Sequence, residues 1–186
     1  MANTTLQGTL TTSLSWTFTN FPDVNVPTRT ALDTMSESSK IDFAEGIGNN
    51  QADEMWYDRR LVTASTPTDD IDLYGTESNV FGRTLNFTTI KTLVIFNLGQ
   101  RDGSGGYTLA HGEEILLGGA GAVGNAWAGF LNGDQDAKVV VGPGDSFAWS
   151  NRLEGSAVTS GTADVLRVVN NGALDIDYDI FIFGTK

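Results

Sequence analysis

There is no cysteine among the 186 residues, and only one histidine, His111. The first absence excludes disulfide scaffolds, thiolate-held zinc or iron–sulfur centres, and thiol catalysis. The second excludes any site that needs two imidazoles from one chain. Basic residues are also scarce: 11 Lys and Arg stand against 23 Asp and Glu, a net charge of -12. Phosphate contacts need a basic patch, so nucleic acid is not an expected partner. An anionic membrane surface is disfavoured for the same reason. No apolar run is long; the Leu93–Phe96 cluster is far too short to span a bilayer. The opening Met1-Ala2-Asn3-Thr4-Thr5 has neither the basic region nor the apolar core of a signal peptide. The expectation is a soluble protein made and used without export.

What is present is strand-and-turn chemistry. The chain holds 22 Gly and many Thr, Ser, Asn and Asp between short runs of Val, Ile, Phe, Trp and Thr. With 40% hydrophobic residues it is too apolar for disorder. The clearest alternation is early, where Leu14, Trp16 and Phe18 interleave with Ser13, Ser15, Thr17 and Thr19. Thr28 to Ser39 reads as either a short helix or a polar strand, and Ile41 to Phe43 as a strand. After Asp53 the runs become regular. Strands are expected at Met55–Val62, Ile71–Gly75, Leu85–Leu98, Tyr107–Ala110, Asn125–Leu131, Lys138–Val141, Ser146–Ser150, Val165–Val169 and Tyr178–Phe183. Turns are expected at Pro67–Asp70 and at Pro143–Asp145, and a helical turn at Ser78–Gly82. The spacing of roughly 8–12 residues is that of an all-β sandwich or barrel. We therefore expect a jelly-roll-like β-sandwich over 53–186, preceded by an N-terminal arm or hairpin region over 1–52. Strand–helix alternation and internal repeats are not evident, which disfavours α/β folds, solenoids and propellers.

Five constellations could carry chemistry. Gly119-Ala120-Gly121-Ala122-Val123-Gly124 fits the dinucleotide-binding glycine pattern, but no useful helix fits between it and the Asn132-Gly133-Asp134 turn, so a glycine-rich loop is expected. Asp175, Asp177 and Asp179 would share one face of a strand, either as oxygen ligands for calcium or as a solvated outer face. Asn132, Asp134 and Asp136 form a weaker cluster in which a turn is the expected reason for the residues. His111 lies beside Glu113 and Glu114 and could be paired with Ser104 or Ser146, but no nucleophile elbow is present. Trp56, Tyr57, Tyr107, Trp127 and Trp149 could form a sugar platform, or the core of a sandwich. No catalytic, cofactor or metal residue is assigned, and enzymatic activity is not expected.

Several segments together resemble a family of small β-sandwich virion proteins of tailed bacteriophages. They are Tyr57-Asp58-Arg59-Arg60-Leu61-Val62, then Ile71-Asp72-Leu73-Tyr74-Gly75 with Val80-Phe81-Gly82 and Ile90-Lys91. Val141-Gly142-Pro143-Gly144-Asp145-Ser146-Phe147 follows, then Val158 to Asn170, and finally Tyr178-Asp179-Ile180-Phe181-Ile182-Phe183-Gly184. The opening Leu10–Asn20 with Gly46–Asp53 is similar to the family's N-terminal portion. The resemblance implies a structural role, that of a head decoration (cement) protein on the virion capsid surface, made in the host cytoplasm. It implies a homotrimer whose partner is the major capsid protein lattice, with no cofactor. For such contacts the expected residues are Leu14, Trp16 and Phe18 on the arm, and Arg59 and Arg60 for interfacial pairs with carboxylates, because Arg suits bidentate contacts. The apolar stripe of the arm could add a strand to another subunit or pack on its own sandwich. Two other roles compete with decoration: a tail- or fibre-associated module binding a host glycan, and a small sandwich enzyme acting on polysaccharide.

Overall fold

In a computed structural model of the chain, residues 6–20, 31–79, 81–102, 104–119 and 124–186 are described, with the side chains of 14–20 and 31–37 outside that description. The fold is all-β. Its first element is a long hairpin ribbon of β1 (Gly8–Asn20) and β2 (Ala31–Glu45). Thirteen residue pairs, from Gly8 opposite Phe43 to Asn20 opposite Ala31, run in unbroken antiparallel register. The stretch read as either helix or polar strand is thus strand from Ala31 onward. A two-residue strand β3 (Gln51–Ala52) lies parallel to the end of β2.

Two sheets then make the sandwich. The larger runs in the order β12 (Ser146–Ser150), β8 (Thr89–Arg101), β15 (Ile176–Thr185), β4 (Glu54–Val62), with β9 (Tyr107–Thr108) and β13 (Ser156–Ala157) also pairing to β8. The smaller runs β11 (Lys138–Val141), β10 (Ile115–Gly118), β14 (Val165–Asn170), β5 (Thr68–Asp72). A separate pair, β6 (Tyr74–Ser78) and β7 (Thr84–Asn86), lies between them in sequence. Alternation decides which side chains face inward. Trp56, Leu93, Ile95, Ile180 and Ile182 from the large sheet meet Ile71, Ile115, Leu117, Leu166 and Val168 from the small one, all buried.

Two amides join the sheets. The buried Asn97 donates through Nδ2 to the carbonyls of Glu113 and Val141 and accepts the Gly99 N–H. Asn170 donates to the carbonyls of Val62 and Leu174 and accepts the Gly172 N–H. Each buried amide is fully used, so neither leaves an unmet polar group in the core.

Several expected elements differ. Ile71–Gly75 is split at Leu73 between β5 and β6, Tyr107–Ala110 is strand only to Thr108, and Ser78, expected to open a helical turn, is the last residue of β6, with Val80 outside the described residues. Pro67–Asp70 is not wholly a turn: β5 begins at Thr68, because Asp69 and Asp70 find arginines on neighbouring strands. Leu85–Leu98 is broken at Phe87 and Thr88, whose N–H groups donate to Leu73 and Thr185 instead of continuing one ladder. Asn125–Leu131 is not a strand. Ala126, Trp127 and Ala128 are buried in succession, Ala126 makes a lone bridge to Val165, and a 3-10 turn follows over Gly129–Leu131. Among the described residues, no helix is long and apolar enough to cross a membrane.

Candidate interaction surface

Arg59 and Arg60 are adjacent on β4, so they point to opposite faces of the sheet. Arg59 lies opposite Asp179 across the β4–β15 ladder. It grips that carboxylate through two bonds, Nε at 2.6 Å and Nη2 at 2.7 Å. Arg60 turns inward. Its Nε and Nη2 bind Asp69 of β5 at 2.6 and 2.8 Å, and its Nη1 reaches Asp58 and Glu77 at 3.2 Å each. The Tyr178 hydroxyl donates to the same Asp69 at 2.6 Å, and the guanidinium lies 5.9 Å from the Trp56 ring centroid. This network ties the two sheets together at one edge. Bidentate, charge-assisted bonds of this kind are the strong ones. Both arginines are held further toward the protonated form by the carboxylates they bind. Burial first, and then the negative charge of Asp69, push the Tyr178 hydroxyl well above its ordinary value.

The three alternating aspartates have separate fates. Asp179 is taken by Arg59. Asp177, fully buried, accepts from Arg101 Nε at 2.8 Å, and its Oδ1 has no hydrogen-bond partner. Asp175 accepts the Ala64 N–H at 2.9 Å. A fourth pair, Arg167 with Asp70, joins directly opposed residues of β14 and β5. In the other acidic cluster, Asp134 Oδ1 accepts the N–H groups of Asp136 and Ala137, a local turn bond. His111 is exposed, whereas Glu113 turns inward and accepts the Leu174 N–H. Of the glycine-rich loop, residues 120–123 lie outside the described part, and the chain that follows is the buried Ala126–Ala128 stretch, not an α-helix. Trp56 and Trp127 are core residues; Trp149 meets Trp127 edge-on at 6.1 Å.

The outer face of the large sheet changes character along β15. Asp177 and Asp179 occupy it first; Phe181 and Phe183 occupy it next. Phe181 stacks on Tyr57 at 4.5 Å and meets Phe96 edge-on at 6.1 Å. Phe183 stacks on Phe43 of the ribbon at 6.1 Å with planes 10° apart. Between the base of the ribbon (Leu10, Phe43) and this face (Val94, Phe96, Phe181, Phe183) lies an apolar cleft of about 200 Å³. Phe96 is 39% exposed at its mouth. This face was not anticipated from sequence. A signal for it existed: Ile180-Phe181-Ile182-Phe183 is apolar at every position, and a strand exposed on one side should alternate.

Leu14, Trp16 and Phe18 lie on the backbone of β1 in register with Glu37, Met35 and Asp33; their side chains fall outside the described residues. Arg59 and Arg60, expected at a partner interface, are engaged by carboxylates of their own chain. The structure does not bring the arm residues and the two arginines into one described site. Comparison with protein-family models, characterised proteins and solved structures finds no match.

Proposed function

We propose that this chain is a structural virion protein, a head decoration (cement) protein that binds the coat lattice of a phage capsid as a homotrimer and stabilises it. The observation that carries this reading is the division of labour in the fold. A sandwich fastened by buried amides and multidentate arginine pairs is joined to a hairpin of thirteen residue pairs whose described pairing is with itself and, at one end, β3. A two-stranded ribbon alone is marginal in water, so an arm of this length gains its stability from a surface it lies against. The rigid domain supplies a fixed body; the ribbon supplies reach. The ladder rises about 3.4 Å per residue, so thirteen residues extend roughly 40 Å, enough to bridge neighbouring coat subunits. Many copies on a lattice then hold by avidity, without tight individual contacts. The acidic surface keeps the free protein soluble and away from DNA.

The test is cosedimentation of the purified protein with preassembled phage heads, with stoichiometry read per coat subunit. The expected result is saturable binding at a fixed ratio to the lattice. Absence of binding would instead favour a tail- or fibre-associated glycan-binding module, to be screened on host polysaccharides.

A further inference from the structure

β1 presents a long unguarded edge. Among the described residues, β1 pairs only with β2, on one side. Its thirteen residues, Gly8–Asn20, contain no charged residue and no proline, and its register with β2 has no bulge. Edge strands are ordinarily kept from joining other chains by charge, proline, bulges or shortness. β1 has none of these. β2 differs: it carries Asp33, Glu37, Lys40, Asp42 and Glu45, and β3 meets its end at Ala44 and Glu45. Thr9, Thr11, Thr12 and Ser13 of β1 are exposed.

We infer that β1 pairs antiparallel with β1 of a second copy about a two-fold axis, forming a four-stranded sheet in the order β2, β1, β1, β2. Charge selects this partner and this edge. Each copy carries a net charge of -12, so most contacts between copies set carboxylates against carboxylates. Pairing through β1 sets two uncharged strands side by side and keeps the acidic β2 strands at the rims. Those rims are three strand spacings apart, about 14 Å, which exceeds the Debye length of about 8 Å at physiological salt. A two-fold axis normal to the sheet keeps equivalent faces on the same side. The alternating positions of Leu10, Leu14, Trp16 and Phe18 from both copies therefore fall on one face. On that face β2 places Ile41, Glu37, Met35 and Asp33 opposite them, so the apolar positions gather on the two central strands and the carboxylates at the rims. Four strands exceed the minimum for a stable sheet, which two strands do not. The contact is isologous and closes on itself. It is separate from any three-fold contact between sandwiches, and would tie neighbouring trimers together. It does not rest on the head-decoration reading, because the purified chain alone suffices for it.

The absence of native cysteine makes the test clean. Single cysteines are placed in the full chain at each position from Thr9 to Thr17, with Ser65→Cys in an exposed loop as control. At the two-fold axis a residue faces its own copy with Cα atoms about 4.5–5.5 Å apart, inside the range a disulfide spans. Two residues from the axis the same atoms are roughly 13 Å apart. The expected result is one sharp maximum of covalent dimer under mild oxidation, falling about tenfold two positions away. Sedimentation equilibrium of the wild type should show an even-numbered species, and Thr11→Lys with Ser13→Lys should weaken its association about tenfold. Circular dichroism confirms that each variant is folded. Cross-linking no greater than at position 65, equal yields along β1, a monomeric wild type at high concentration, or undiminished association of the lysine variant would each overturn the pairing.

Discussion

At the scale of single residues, the arginines carry most of the electrostatic organisation. Arg59, Arg101 and Arg167 each hold an aspartate on a neighbouring strand and Arg60 holds one on the facing sheet; for Arg59 and Arg167 the pair is directly opposed in register. Arg60 and Tyr178 share Asp69, and this gives a pH-dependent prediction. The folded state keeps the Tyr178 hydroxyl protonated beyond its ordinary value of 10.0, so it contributes stability that is present below pH 10 and lost as pH rises through the folded value. Tyr178→Phe should cost about 1.5–3 kcal/mol at pH 7, as expected for a hydrogen bond to a charged group. Denaturant titrations from pH 7 to 11 should show the difference between wild type and variant narrowing above pH 10, by up to about 1.4 kcal/mol per unit. A difference that stays constant with pH would remove Tyr178 from the alkaline response. The alternating Asp175, Asp177 and Asp179 look alike in sequence, yet one caps a loop N–H, one is buried with Arg101 and one is gripped by Arg59.

Individual strands show where backbone geometry and packing override local pattern. β15 slips register against β8 between Phe183 and Gly184. A Cβ at Gly184 would collide with the Thr89 carbonyl oxygen and the Phe87 ring, so only glycine fits there. Gly184→Ala should destabilise the fold by about 1–3 kcal/mol through overpacking, read as a lowered denaturation midpoint with an unchanged slope. The ribbon behaves differently, because its described packing on the sandwich is concentrated at the base. Phe43 stacks on Phe183, and the Phe183 ring also occupies the space beside Gly8. Phe43→Ala should therefore leave the main unfolding transition within a few degrees of wild type. It should also speed limited proteolysis in the first 45 residues several-fold, since local opening depends on few buried contacts. Equal protection of wild type and variant would show that the ribbon is anchored elsewhere. The first three residues of β5, Thr68–Asp70, expected as part of a turn, are strand because tertiary pairing of Asp69 and Asp70 outweighs the weak turn preference of Pro-Thr-Asp-Asp.

For the whole molecule, sandwich and ribbon make separable predictions. A chain lacking residues 1–45 retains β4 to β15 and the joints made by Asn97, Asn170 and Arg60. It should remain folded by circular dichroism and near-UV spectra, yet lose most of its affinity for phage heads in cosedimentation. Retention of full affinity would move the coat contact from the ribbon to the sandwich surface. The outer sheet face with Tyr57, Phe96 and Phe181 is the first alternative to examine, because its aromatic row is bounded by the Arg59–Asp179 pair on one side.

Much of the fold class is legible in the sequence. Alternation in β14 and β12, the turn residues between short runs, and the want of helical periodicity specify an all-β chain, because side-chain period is a local property of each strand. Local pattern also placed Leu14, Trp16 and Phe18 at alternate positions of one strand. Pairing between strands was not legible. Whether Asp179 meets a cation, water or Arg59 depends on β4 and β15 lying in register across 120 residues of sequence. That Phe181 and Phe183 form an outer aromatic face depends on which side of β15 the second sheet covers. Those choices are made by long-range pairing and burial, which no window of neighbouring residues contains.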